Sequence, residues 1–533
     1  MIYCKKPKNM GVYKDMEDVR THKKELAEYI TGFFVLLLLT VFPLILHDQY
    51  FDIVVVKYMF VYISVIAMTV LVLISLLLTG SLKYRKRKLR NVLEAPDRAM
   101  LFFVIACFIS TILSDYLYES VWGNEGRYCG FFLIAIYGAM YFVVTRKFRF
   151  SRFYVDAYLL FSMLVCLWGI SDFFKLDLFG FKAILTPEDQ LIFTSSLGNI
   201  NTYTAYVALV SAISGIMFIS AKESKRIIWY TLCFVISLFA IIMGVSDNAY
   251  LSLGALFAFV PYYAFKTRSG IKRYLCMIAI FVTVIQCVAW CGTIMNGRVL
   301  EISGVFDVLA NFRWFILLVV MLWLLFGLTC FLDRHNRNKS IKPRARWIWS
   351  FFLLTVAVAV VAVLYDANTT DMPERYGSLR NYLIFDDNWG THRMYNWKLG
   401  LRNYKEFSLI HKVFGYGPET YGIITVGNNI QEMTLRYYEK FDNAHNEYLQ
   451  YFITIGPVGL VAYLSVLISS GIHIIKKASN DCCVMALLFA VICYAAQATV
   501  NIATPIVNPF IWLFISMGIA ACRNKELRTE DEG

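Results

Sequence analysis

The sequence predicts an all-α polytopic bundle of about fourteen transmembrane helices carrying one large helical loop outside the membrane, and three observations support that class. Of the 533 residues, 58% are hydrophobic and only 17% are charged, far too apolar a balance for an ordinary water-soluble domain. Apolar runs of roughly 17 to 25 residues recur along the chain, each able to cross about 30 Å of hydrocarbon as a helix. Lys and Arg concentrate in alternate connections between those runs, as they do when cytoplasmic charge sets orientation. A closed barrel is excluded, because stretches such as Ile30 to Leu46 and Trp347 to Leu364 are apolar all round instead of alternating.

Residues 1–29 are mixed and charged, without an apolar core followed by a small-residue cleavage site. They read as a cytoplasmic amino-terminal segment and not as a signal peptide. Eleven spans are expected in 30–365, near 30–46, 54–79, 98–114, 131–145, 153–174, 203–221, 227–244, 249–265, 274–292, 313–332 and 347–365. The large extracytoplasmic loop is 366–446. Three more spans follow in 447–522, near 447–475, 482–500 and 509–522, and 523–533 is a cytoplasmic tail.

Net charge of +13 raises the question of nucleic acid, but the location of the charge excludes that partner. Clusters at Lys83 to Arg90, Arg146 to Arg152, Lys222 to Arg226, Lys266 to Arg273, Arg334 to Arg346 and Lys476 to Lys477 all fall between spans. Placing them in the cytoplasm puts about 36 of the 51 Lys and Arg inside and sets the multi-pass orientation, with both termini cytoplasmic. Most of the thirteen cysteines lie within apolar runs, where Cys acts as a small hydrophobe, and neither a disulfide framework nor zinc spacing is present.

Among the outer loops Ser114 to Gly130, Lys175 to Thr202 and 366–446 are long, and the last far exceeds an ordinary connection. Its wealth of Tyr, Trp, Phe, Leu and Ile argues for order. A helix is expected over Thr391 to Phe407, with Met394, Trp397, Leu401 and Tyr404 at helical spacing.

His445 lies in DNAHNEYLQYFITIGPVGL, where the large loop returns to the membrane. With Asp442 or Asn443 as the cap, the histidine would stand in a helix's first turn. The positive end of the dipole there would keep it neutral, and free backbone amides would hold an anion beside it. A histidine simply seated at the bilayer interface is the competing reading. Arg393, opening THRMYNWKLGL, and Arg127, between glycines in WGNEGRYCG, offer guanidinium forks suited to a diphosphate, or to ordinary loop ion pairs. Asn199 and Asn201 in SSLGNINTYTAY precede a span and also suit helix capping. Gly415 and Gly417 in GYGPETYG mark a turn, and the adjacent Asp386 and Asp387 are read as a solvated turn before a metal site.

Taken together, these pieces resemble the O-antigen ligase and polymerase family of polytopic glycosyltransferases. GNIN before a span, R-x-x-x-W at Arg393 to Trp397, the following G-x-G turn and HNEYLQYFITIGPVGL look like that family's carboxy-terminal core, and WGNEGRYCG looks like its G-x-x-x-R-x-x-G outer loop. The resemblance implies a C-type glycosyltransferase fold and a reaction needing no metal or cofactor. In it, a glycan passes from undecaprenyl pyrophosphate to an acceptor hydroxyl on a glycan, lipid or protein at the outer face. By position it implies His445 as catalytic base and Arg393 on the donor pyrophosphate, with Arg127, Asn199, Asn201 and Asn446 binding substrate. One departure stands out: where many relatives of the ligases carry an arginine after a serine in a short outer loop, this chain has VSDNAY, Ser246 to Tyr250.

Ligase and polymerase share a donor and differ in acceptor, so the sequence leaves both open. A flippase or transporter of lipid-linked glycan is the rival from another class. Transporters place ionisable groups at the bilayer midplane, whereas here Lys57 and Asp156 lie near span ends, Asp172 lies near an outer face, and polar chemistry gathers in the large loop.

Overall fold

A computed structural model describes residues 26–80, 93–302, 304–332, 344–369 and 373–531. The basic cluster Lys83 to Arg90, most of Arg334 to Arg346 and most of the amino-terminal segment lie outside the described residues. The described residues are 77% helical, and the described strands are one two-residue antiparallel pair, Phe193–Thr194 with Gly198–Asn199. Among the described residues, ten helices are long and apolar enough to cross a membrane. Both observations fit an all-α membrane bundle.

The other apolar helices miss that length and composition for visible reasons. Phe131–Lys147 and Asn248–Ala264 have 17 residues each, Cys482–Gln497 has 16, and Asn508–Asp531 ends in a charged tail. The stretch expected as a single span over 447–475 is instead two helices, Glu447–Thr454 and Gly456–Ala478. Gly456 sits at φ +69°, a conformation a β-carbon resists, and Pro457 follows it.

At the centre stands Ile200–Ser220, buried on every face from Thr202 to Ile219. Its Ala, Ser and Gly residues allow close approach of Ser224–Met243 and Cys482–Gln497. A β-carbon on Gly215 would lie 2.8 Å from Met277 and 3.2 Å from Phe234. By contrast, Phe315–Leu332 and Arg344–Thr369 turn nearly all of their apolar surface outward, as helices bathed in lipid do.

The connections separate into two ends. At one, Arg523 bridges Glu94 (3.0 Å) and the fully buried Asp97, Lys477 meets Glu94 at 2.7 Å, and Arg146 lies 3.5 Å from Asp97. The other end carries the large loop. Here the buried Lys57 ammonium donates to the carbonyls of Phe42 and Pro43 (3.1 and 3.0 Å), capping the first apolar helix, Leu26–Leu44. Asp172 accepts from the Ser195 amide (2.6 Å) and the Thr194 hydroxyl (3.1 Å), while at the opposite end of the same helix, Arg152–Phe173, Asp156 accepts from Tyr230 (2.7 Å). Each of these three charges near a span end therefore has a structural partner.

Within the loop, the helix expected over Thr391 to Phe407 is Trp389–Glu406, but Gly390, Thr391 and His392 have positive φ, so regular geometry begins at Arg393. Its buried face is not Met394, Trp397, Leu401 and Tyr404, of which Leu401 is exposed. Instead Tyr395, Asn396, Leu399, Gly400 and Asn403 face inward. Polar contacts set that register: the Tyr421 hydroxyl donates to Asn396 Oδ1 (2.7 Å), and the Asn396 amide donates to the Asn443 carbonyl (2.7 Å).

Candidate active site

The segment Asp442 to Asn446 joins the large loop to the bundle. Asn446 caps Glu447–Thr454, its side chain accepting from the Leu449 amide at 3.0 Å. The expected cap at Asp442 or Asn443 is therefore displaced, and His445 lies just before the helix instead of in its first turn. It is held at φ +49° while its amide donates to Asn443 Oδ1 (2.9 Å). Non-glycine residues occupy that region at a cost, which is why such residues gather at working sites. The free amides expected to cradle an anion are partly committed, because Asn446 takes the Leu449 N–H and the Glu447 N–H donates to Ala498 O at 2.8 Å.

His445 is nevertheless held neutral, for a different reason from the helix dipole. Burial comes first, and the neighbouring guanidiniums of Arg393 and Arg127 add to it, so that its pKa falls to about 4 despite Asp442. Arginines from two loops far apart in sequence thus act on one imidazole.

Arg393 donates through Nη1 to the Gly390 carbonyl (2.9 Å), and its buried Nε has no partner among the described residues. Asp247, in the short VSDNAY connection, is its electrostatic counterweight. Arg127 is differently placed. Its fork grips Asp442, Nη2 to Oδ1 at 2.7 Å and Nε to Oδ2 at 3.2 Å. Asn199 caps Ile200–Ser220 by accepting from the Asn201 amide (2.8 Å), and Asn201 Oδ1 accepts from the Ser246 hydroxyl (2.7 Å), tying that helix start to VSDNAY. The structure thus gathers His445, Arg393 and Arg127, and gives the three asparagines local partners.

A cavity of about 690 Å³ opens beside Arg393, with Asp247, Asn248, Tyr250, Tyr382 and Trp389 also in its wall. The remaining histidines of this end have side-chain partners of their own, although His392 also lines the cavity. His47 meets Asp52 (2.8 Å), His392 lies against Tyr437, and His411 stacks on Tyr416 with ring centroids 3.8 Å apart. Asp387 pairs with Lys398 and Arg436, both at 2.7 Å, and Asp386 accepts from the Asn388 amide (3.0 Å), in keeping with a solvated turn. Gly415 and Gly417, both at positive φ, form a turn packed against Thr454 and Ser120. At the opposite end Asp481, Cys482 and Cys483 come within 4.8 Å of one another. Lys525 beside Asp481 (3.3 Å) and Arg152 beside Cys482 (3.5 Å) make those surroundings cationic and unfavourable to a metal ion.

Sequence reasoning missed Glu419. It is buried, sits at φ +61°, and leaves Oε2 without a partner among the described residues. Burial lifts its pKa to about 7, with Arg127 opposing and Asp442 reinforcing the shift. The available signal was a single acid inside the glycine and aromatic run GYGPETYG. Asp442 and Asp247 were also passed over as partners, because the arginines they face are remote in sequence. No protein-family model matches the chain, and no curated protein matches it.

Proposed function

We propose that the chain is a membrane glycosyltransferase of the O-antigen ligase or polymerase type, with about fourteen spans in a C-type glycosyltransferase arrangement. It moves a glycan from undecaprenyl pyrophosphate to an acceptor hydroxyl at the outer face. The observation that carries this reading is that Arg393 and Arg127 both act electrostatically on the buried His445, and that Arg393 also lines a cavity at the loop-bearing end. An orientation with that end outside supports it. The described basic groups Arg146, Arg149, Lys477 and Arg523 then face the cytoplasm.

In the reaction the acceptor oxygen bonds to the anomeric carbon while the bond from that carbon to the pyrophosphate oxygen breaks. The departing lipid pyrophosphate keeps the electron pair, and the acceptor proton passes to His445. Arg393 steadies the leaving charge with its fork, and no protein nucleophile is required. A base with a pKa near 4 is a weak one for this task. Docking a pyrophosphate against Arg393 and Arg127 offsets the positive charge that depresses His445, so the bound donor itself raises the basicity of the catalyst.

The decisive experiment is glycan transfer by purified protein in lipid, using a synthetic undecaprenyl pyrophosphate donor. Product that depends on both donor and acceptor supports the reading; donor translocation without transfer would establish the transporter instead. Ligase and polymerase are separated by mass spectrometry of surface glycan in a deletion strain. Shortened chains mark a polymerase, and unattached chains mark a ligase.

A further inference from the structure

Asn248 is 1% exposed and lines the cavity, yet its Nδ2 has no hydrogen-bond partner among the described residues. A buried amide donor at a cavity wall is a demand for an acceptor from outside the protein. Next to it Asp247 supplies the complementary group, a carboxylate whose Oδ1 accepts from the Tyr382 hydroxyl at 3.1 Å. The third component is Trp389, whose indole N–H donates to the Tyr382 carbonyl (3.1 Å) and whose ring is braced edge-on by Phe385 and Trp397. An acceptor, a donor and a fixed aromatic face are the elements that bind a pyranose, through hydroxyl, carbonyl and C–H surfaces respectively.

Charge narrows the class. Asp247 and Asp386 both border the cavity, and Arg380, the cation there besides Arg393, is paired with Glu374 at 2.6 Å. A sugar carboxylate at this wall would face two like charges, with one guanidinium already claimed by the pyrophosphate. We propose that Asp247, Asn248 and Trp389 form a subsite for the sugar next to the pyrophosphate, taking a neutral hexose or N-acetylhexosamine and rejecting a uronic acid. The inference rests on the glycan-transfer reading and names its substrate class.

The test measures binding of three probes to full-length protein in nanodiscs: farnesyl pyrophosphate, farnesyl pyrophosphoryl N-acetylglucosamine and farnesyl pyrophosphoryl glucuronic acid. The N-acetylglucosamine probe is expected to bind about tenfold more tightly than bare farnesyl pyrophosphate, and the glucuronic acid probe no more tightly than the bare lipid. Asp247→Asn should close most of the gap between the two sugar probes, and Asn248→Leu should bring the N-acetylglucosamine probe down to the bare lipid. Equal binding of the two sugars by the unaltered protein overturns the subsite, as does an unchanged gap in a folded Asp247→Asn variant. Failure of all three probes to bind saturably overturns the glycan-transfer reading itself, an outcome distinct from a lost sugar preference.

Discussion

Arg127 and Asp442 form a two-point ion pair although 315 residues separate them in the chain. It joins the Ser114 to Gly130 connection to the segment bearing His445, and it occupies the fork through which Arg127 would meet a pyrophosphate. Asp442 is the more exposed partner, at 51% against 19% for Arg127, so it is the side that can swing into solvent. Asp442→Asn should therefore lower the donor KM several-fold by releasing the fork, while Arg127→Lys raises it. Steady-state kinetics over a donor series checks both, and an unaltered KM in both variants would make the pair purely structural.

Arg393→Lys preserves charge but loses the planar fork, so turnover should fall by about 10- to 100-fold in a folded protein. Normal turnover in that variant would remove Arg393 from the leaving-group contact.

His445→Ala should cost roughly a hundredfold to ten-thousandfold in turnover while donor binding persists. His411→Ala, at a ring that packs on Tyr416 and does not line the cavity, serves as the control with a near-normal rate. Turnover is also expected to survive a chelator. Near-normal rates in a folded His445→Ala variant would sink the base assignment.

The acid limb of kcat/KM should lie near pH 4 instead of near 6.5, because the free enzyme's histidine has a depressed pKa and stays unprotonated as pH falls through that window. The profile from pH 5 to 7 should be flat. A limb at about 6.5 would mean that neither burial nor the two guanidiniums depress this imidazole.

Glu419 shifts the other way. Its folded pKa of about 7 exceeds the ordinary 4.5, so its contribution to stability is full below 4.5 and is lost as pH rises through 7. Glu419→Gln should then raise the melting temperature relative to the unaltered protein at pH 8, with the difference shrinking at pH 5. Thermal unfolding in detergent at the two pH values measures this. A variant less stable at both would show that the carboxylate is needed in its charged form.

The helices were legible because apolar length is written directly in the sequence: each expected span overlaps a described helix, with 447–475 divided at Gly456 and 30–46 ending in the 3-10 turn Phe42–Leu44. Register inside the large loop was not legible. Asn396 and Asn403 read as surface residues, yet they face inward because Tyr421, Asn428 and Asn443 satisfy them, and such partnerships leave no periodic trace. His445 and Arg393 drew attention through their positions in short motifs. Arg127, which acts on His445, and Asp247, which faces Arg393, come from segments that only the fold brings together with them.

The clustered charges at the end opposite the cavity bear on the order of assembly. Asp97 is made early in synthesis and ends fully buried, while the Arg523 that bridges it to Glu94 comes 426 residues later. A buried carboxylate lacking its cation is costly, and Arg146, 3.5 Å away, is the cation that Asp97 meets first, so Arg523 completes a charge cluster that the earlier helices begin. The cluster reaches its full set of ion pairs only once the helix Asn508–Asp531 has packed against the earlier ones, so that helix works as a clasp across the end of the bundle.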